Sequence, residues 1–390
     1  MIKILFVINN MEQGGIQHSL LELIKKITIY NRFDISLLCL NRMGEYYSHI
    51  PKSIKLIELS KYQMISEMDL KHCKEKGKIH FFFRLFTSLI TKMGFKNIAS
   101  KLYTAVLGKT KDTYDIAISY SQPTDDRDFF CLTNEIVINC CKAKKKGSFV
   151  HCDFKLYGGN TIRNRKIYEK MDFICAVSSS VKKQFIDCIP EARNKTSIVY
   201  NCCDADSIVL QANEDAIIYN RPTLVSVCRL SEEKGLLRCM PIIKHLVDKG
   251  FEFEWHIVGG GSLYTALEKA IEFYHLNRVV VLEDRQSNPY RFMKNASYVF
   301  VPSFHEAAPL VFDEAIILGI PVLTTNTLSA EEMIKKHNYG LVCDNTDEAI
   351  LEMLIDAFSS KIEFATCNNV KMYRDEQSFI EAINKVVGEL

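Results

Sequence analysis

Tyr298-Val299-Phe300-Val301-Pro302-Ser303-Phe304-His305-Glu306-Ala307-Ala308-Pro309-Leu310-Val311-Phe312-Asp313-Glu314-Ala315 reads as a strand, a loop and the start of a helix. The strand covers 298–301 and the helix starts near Pro309. Glu306 therefore falls in the loop. Glu314 falls inside the helix, about one and a half turns past its start. The amides near Leu310 and Val311, at the helix N-terminus, form a ready anion site. Carboxylates beside an anion site repel the anion unless they face something else, and sugar hydroxyls are that something. A phosphate flanked by hydroxyl-binding carboxylates describes a nucleotide sugar.

The same strand-to-helix alternation extends in both directions. Residues 2–8 read as a buried first strand, 9–15 as a loop ending in two glycines, and 16–29 as a helix. Further strands are read at 33–40, 54–59, 114–120, 147–151, 173–178 and 197–200. Residues 213–221 are largely polar and precede Pro222, which reads as a linker. The pattern then restarts, with strands at 223–227, 254–258, 279–282, 298–301 and 321–324. The expectation is α/β: two doubly wound domains, 1–210 and 211–375, with a helix over 376–390 that crosses back to the first. Ligands of such domains bind at the carboxyl ends of the strands.

Composition excludes several classes. The 390 residues are enough for about two domains. With 47% hydrophobic and 25% charged residues, the chain is an ordinary globular one. A net charge of +2 gives no support to nucleic-acid binding. Fourteen cysteines occur without any Cys-x-x-Cys spacing, which argues against a zinc ribbon or redox motif. No signal peptide or run of eighteen apolar residues is read. Reduced thiols and a cytoplasmic location are therefore expected.

Five further stretches carry candidate chemistry. Gly14-Gly15 opens the first helix, where glycine permits positive φ and the amides reach a phosphate; the alternative is a turn that needs glycine for geometry alone. The strand 223–227 ends near Arg229, and Lys234 follows five residues on, at the next helix start. Two cations there suit a diphosphate, or else pair with Glu232 and Glu233. Gly259-Gly260-Gly261-Ser262 resembles a nucleotide loop but lacks the spacing of a dinucleotide fingerprint, so a tight turn is equally open. His151 ends the strand 147–151, either as a site residue or as a structural histidine. Finally, eleven lysines and arginines lie from Lys61 to Lys111 against Glu67, Asp69 and Glu75, a net charge of +8. Phe81-Phe82-Phe83, Leu85, Phe86, Leu89 and Ile90 interleave with them. This stretch fits either an anionic membrane surface, such as the inner face of the plasma membrane, or ordinary helices with solvated lysines.

The order of these motifs resembles family 4 retaining glycosyltransferases. It comprises the glycine pair, the His151-x-Asp153 strand end, Val177-Ser178-Ser179-Ser180 leading to Lys182, Val199-Tyr200-Asn201, Arg229-x4-Lys234-Gly235, the glycine turn, and Glu306-x7-Glu314. The resemblance covers nearly the whole chain. It implies a GT-B fold, two Rossmann-like domains facing across a cleft, with the acceptor on the first and the nucleotide sugar on the second. It implies that Arg229 and Lys234 bind the donor diphosphate, approached also by Gly14 and Gly15. Glu306 would hold the transferred sugar, Glu314 the ribose, and Leu310 and Val311 phosphate or sugar through their amides. His151 would reach the donor sugar, and Ser262 with 283–286 the nucleotide and base.

Three positions depart from the pattern: Ala307 and Cys228 stand where glycine is usual, and Gln17-His18 where a Glu-Arg-type pair is usual. The implied activity is of hexosyltransferase type. A UDP- or GDP-linked sugar would move to a glycan or lipid-linked acceptor in capsule, lipopolysaccharide or exopolysaccharide assembly. Fixed cations would replace a metal, and no cofactor is expected. Asp126-Arg127-Asp128 and Asp204-Ala205-Asp206 are read as surface charge outside the donor domain. Two alternatives stay open: a nucleotide-sugar 2-epimerase, and a non-catalytic glycan- or membrane-binding relative.

Overall fold

The structure is a computed structural model that describes residues 1–12, 14–122, 126–359, 362–367 and 376–388. It divides into two compact units, Met1–Cys202 with Glu376–Leu390, and Cys203–Asp375. The break falls eight residues before the sequence-based boundary at 210/211, and residue 375 lies outside the described residues. The stretch 213–221, read as a linker, is instead packed into the second unit. Ile217 N–H donates to the Arg291 carbonyl at 3.0 Å, and Tyr219 Oη to the Phe292 carbonyl at 2.8 Å.

The first unit holds β1 (Ile2–Asn10), β2 (Phe33–Asn41), β3 (Lys55–Leu56), β4 (Thr113–Ser119), β5 (Lys142–Val150), β6 (Phe173–Ala176) and β7 (Thr196–Ile198). They form one parallel sheet in the order β3-β2-β1-β4-β5-β6-β7. β1 is apolar on both faces, with Ile4 to Ile8 fully buried, because helices cover a parallel sheet on both sides. The expected strand 54–59 shrinks to two residues at the sheet edge. β5 starts earlier than read, because Lys142 and the lysines that follow pair in register with β4 despite their charge. Lys144 is matched by Asp115 at 2.8 Å.

The helix Gln377–Gly388 belongs to this first unit. Phe379 is fully buried, with its ring centroid 6.0 Å from that of Phe6 on β1. Ser378 Oγ accepts from Tyr200 N–H at 3.2 Å, and Glu376 accepts from Tyr30 Oη at 2.6 Å.

The second unit holds β8 (Thr223–Val227), β9 (Glu254–Val258), β10 (Val280–Leu282), β11 (Tyr298–Val301), β12 (Val322–Thr325) and β13 (Gly340–Cys343). Their order is β10-β9-β8-β11-β12-β13, again parallel. Five of these strands follow the sequence reading closely. β13 escaped it, being four residues long and paired only with β12. Trp255 is fully buried at the centre of the core, its ring 5.5 Å from Phe300. Its indole N–H is satisfied by Ser226 Oγ at 3.0 Å. Among the described residues no helix is long and apolar enough to cross a membrane.

Phe379→Ala removes a buried ring from the base of the first sheet. It should cost about 3–5 kcal/mol of stability. In hydrogen exchange the loss should appear at β1, far away in sequence; unchanged β1 protection would contradict this packing.

Candidate active site

In the second unit the strand order reverses between β8 and β11. Loops leaving two adjacent parallel strands diverge at such a point and leave a crevice suited to a ligand. Lys234 ends the short turn Glu232–Lys234 after β8. Glu306 lies in the loop after β11, ahead of the helix Leu310–Leu318. Their side chains meet as an ion pair, Nζ to Oε1 at 2.6 Å, with exposures of 19% and 10%. Ser303 Oγ donates to the same carboxylate oxygen at 2.8 Å. Burial pulls the Lys234 ammonium down, but the charge and hydrogen bond of Glu306, with smaller help from neighbours, outweigh it and leave the group above its ordinary value. Lys234 is therefore a held, permanent cation.

Close approach of two loops makes this pair possible. Gly235 adopts φ +66, and a Cβ there would lie 2.2 Å from the Pro302 carbonyl oxygen. Only glycine lets the turn after β8 lie against the loop after β11. Phe304 N–H donates to the Glu233 carbonyl at 2.8 Å. Arg238 donates to the Pro302 carbonyl at 2.6 Å and sits 4.0 Å from the Phe304 ring centroid. Thr325 Oγ1 donates to the Ser303 carbonyl at 2.5 Å, and Asn345 to the Phe304 carbonyl at 2.9 Å. Ser303, Arg238, Thr325 and Asn345 thus shape the site, yet the sequence reading named none of them. Only Ser303, three residues before Glu306, carried a local signal.

The two expected cations differ. Arg229 is 68% exposed and 3.8 Å from Glu233, a loose contact. Its loop rests on the glycine turn. Gly259 adopts φ +148, and a Cβ there would lie 1.9 Å from the Cys228 carbonyl oxygen. Leu230 N–H donates to the Gly260 carbonyl at 3.0 Å. Gly259 and Gly261 are therefore explained by packing against the Arg229 loop and Gly260 by the Arg285 side chain, and Ser262 is exposed beside them. At 283–286, the Glu283 carboxylate is taken by His256 Nδ1 at 2.7 Å.

The two glutamates also differ. Glu314 is half-buried and accepts from Tyr290 Oη at 3.2 Å. Burial pushes its carboxyl up to about 7, opposed by the Tyr290 hydrogen bond and reinforced by Asp313. Glu306 is locked to a cation, whereas Glu314 hovers between its neutral and charged forms near neutrality. Leu310 and Val311 open their helix beneath Pro309, which provides no side-chain cap.

The first unit carries the remaining candidates, at its own order reversal between β1 and β4 and on the neighbouring β5. Gly14 has φ −175, ordinary extended backbone, and Gly15 begins the helix Gly15–Thr28. Neither needs the positive φ expected of it, and Gln13 lies outside the described residues. Gln17 Nε2 donates to Asn10 Oδ1 at 2.9 Å, while His18 Nδ1 lies 3.4 Å from Tyr46 Oη. The His151 backbone N–H donates to Gln122 Oε1 at 2.7 Å. Its ring lies 4.7 Å from Tyr120 and stacks on Phe149 at 5.2 Å. Burial drives the imidazole down to about 3, against a small opposing effect of the Tyr120 backbone. It is neutral at physiological pH, and its buried Nε2 has no hydrogen-bond partner among the described residues.

The Asp-x-Asp pairs have structural tasks. Asp126 faces Arg163 at 3.4 Å. Asp204 caps the helix Ala205–Asn213, accepting from Ser207 N–H at 3.1 Å. The second pair lies inside the second unit, not outside it as expected, because the unit begins at Cys203. Among the described residues no cluster of three His, Cys, Asp or Glu is arranged to hold a metal.

Residues 211–375 match the family described as Glycosyl transferases group 1. An uncharacterized glycosyltransferase of Methanocaldococcus jannaschii is 24% identical over 243 residues, 60% of each chain. The capsular polysaccharide biosynthesis glycosyltransferase CapM of Staphylococcus aureus is 23% identical over 204 residues, 48% of this chain and 54% of CapM. The chain thus spans little more than half the length of these relatives. Anabaena HepE, solved in complex with UDP and glucose, superposes with a TM-score of 0.69 at 14% identity over the whole of both chains. The two parallel sheets are those of the GT-B fold.

A double-mutant cycle on Lys234→Ala and Glu306→Ala tests the ion pair. Each single variant leaves a buried charge unpaired and should cost about 3 kcal/mol. The double variant should cost less than their sum by about 1–3 kcal/mol. Additive losses in urea titration would mean that the pair is not formed.

Proposed function

We propose that this chain, whose residues 211–375 belong to the glycosyl transferases group 1 family and whose fold is GT-B, is a retaining glycosyltransferase. Its donor is a UDP- or GDP-linked sugar, and its acceptor a glycan or lipid-linked glycan of a cell-surface polysaccharide. One observation carries this reading: a half-buried cation, Lys234, paired with Glu306 at the order reversal of a family-matched sheet. The polysaccharide assignment draws on CapM, named for capsule biosynthesis. The nucleotide assignment draws on HepE, solved with UDP.

In this reading the bond from the anomeric carbon to the donor's phosphate oxygen breaks. Negative charge collects on the leaving diphosphate, where Lys234, Arg229 and the amides of Leu310 and Val311 stabilise it. Positive charge grows on the sugar. His151 is assigned to the donor sugar, where its neutral ring adds no repulsive charge. The acceptor oxygen bonds to the anomeric carbon on the face the phosphate leaves, and its proton passes to the departing phosphate oxygen. Neither glutamate is asked to act as a general acid or base. Glu306 holds Lys234 and a sugar hydroxyl, and Glu314 accepts from the ribose hydroxyls. Gly14, Gly15 and Ser262 are assigned supporting contacts to the nucleotide sugar through backbone and hydroxyl groups.

Purified protein incubated with candidate donors and acceptors should release nucleoside diphosphate. Lys234→Ala should lower turnover by about a hundredfold to a thousandfold; unchanged turnover would sink the assignment. Conversion of a donor to its epimer without any acceptor would select the epimerase reading instead.

Glu314 supplies a pH signature. Its carboxyl, raised to about 7, ionises as pH climbs from 6 to 8, and only the ionised form accepts from both ribose hydroxyls. Affinity for a nucleotide sugar, whose diphosphate diester does not titrate in this range, should therefore rise several-fold over that interval. Glu314→Gln should flatten the dependence. A flat profile in the parent protein would contradict the assigned role.

A further inference from the structure

We propose that the helices Lys78–Lys92 and Lys96–Leu107 of the first unit dock on an anionic lipid bilayer surface. The first helix is turned inside out. Its buried positions are Thr87 and Thr91, with Arg84 beside them donating to the carbonyls of Met68 and Phe129. Its exposed positions are Ile79, Phe82, Phe86, Leu89 and Met93, with exposures from 52% to 69%. Spacings of three and four put those five residues on one stripe, on the side opposite Arg84, Thr87 and Thr91. A helix that merely packs on a sheet does the reverse.

The second helix extends the apolar surface. Phe95, Ile98, Leu102 and Val106 recur at helical spacing, each at least 40% exposed, and the two helices pack on one another. Two packed helices that each leave an apolar stripe exposed mark an interaction site rather than scattered surface chance.

Charge decides the occupant. Lys71, Lys74, Lys76, Lys78, Lys92 and Lys101 are all exposed on these helices and on the preceding helix Leu70–Lys76. Against them stand only Asp69 and Glu75 as exposed acids within 61–111. A symmetric dimer through this face would press the same basic surface against itself, at an electrostatic cost. An anionic bilayer accepts both features at once: aromatic and aliphatic side chains enter the acyl boundary while lysines meet the headgroups. This inference is independent of the donor-site reading, since none of its residues lies in the catalytic constellation.

Flotation with vesicles tests it. The protein should partition onto mixed phosphatidylcholine and phosphatidylglycerol vesicles, less onto phosphatidylcholine alone, and less in high salt. The triple variant Phe82→Ser, Phe86→Ser, Leu89→Ser should lose at least about tenfold in partition while keeping its thermal melt. Should that variant fail to fold, Lys71→Gln, Lys74→Gln, Lys78→Gln decides, by losing the preference for anionic vesicles. Equal partition of parent and folded variants would overturn the proposal. So would indifference to lipid charge, or a parent dimer that the serine variant splits and that ignores vesicles.

Discussion

The Lys234–Glu306 ion pair is the interaction on which the site in the second unit depends. It joins two loops that belong to different strands, β8 and β11, at the one place where the sheet reverses its order. Everything near it serves that meeting. Gly235 removes the Cβ that would strike the Pro302 carbonyl. Arg238, Thr325 and Asn345 occupy the carbonyls of the loop that carries Glu306. Burial alone would pull the ammonium below its ordinary value; the carboxylate more than offsets this. A bare lysine here would lack a fixed position, and a bare glutamate would repel a phosphate. Together they offer an anion a cation that is already desolvated and positioned.

Much of the fold was legible in the sequence because parallel strands covered on both faces are continuous apolar runs. β1, β8, β9 and β11 are of this kind. The misreadings have physical reasons. β5 begins among lysines, one of which, Lys144, is matched by Asp115 on a neighbouring strand rather than within the segment. β13 is an edge strand too short to show a period. The first residues of the second unit were given to the first because the polar stretch 213–221 looked like a linker, while the Ile217 N–H and the Tyr219 hydroxyl in fact donate to the Arg291 and Phe292 carbonyls.

The site was legible in part, and for a similar reason. Lys234, Glu306 and Glu314 stand out because charged residues at strand ends and helix starts have local sequence signatures. Their environment does not. The sequence placed Arg229 and Lys234 together as equals, whereas one is buried against a carboxylate and the other reaches into solvent. The two glutamates, eight positions apart, looked like a matched couple. Burial raises the carboxyl of Glu314 to about 7, whereas Glu306 is held in an ion pair with Lys234. The glycines of 259–261 suggested a phosphate cradle, but the Cys228 and Leu230 backbone fills the space at Gly259 and Gly261, and the Arg285 side chain fills it at Gly260. The inverted helix Lys78–Lys92 showed as basic and aromatic in sequence. That its apolar side faces outward could only come from the three-dimensional packing of Arg84, Thr87 and Thr91.

The central claim is that Lys234 is shared between Glu306 and the phosphates of a nucleoside diphosphate. Calorimetric titration of UDP and GDP into Glu306→Gln tests it most directly. Neither ligand carries a transferred sugar, so loss of a sugar contact cannot mask the effect. Freed of its competing carboxylate, Lys234 should bind the preferred diphosphate more tightly than in the parent protein, by about threefold or more. Weaker or unchanged binding, with the variant folded as the parent is, would contradict the account.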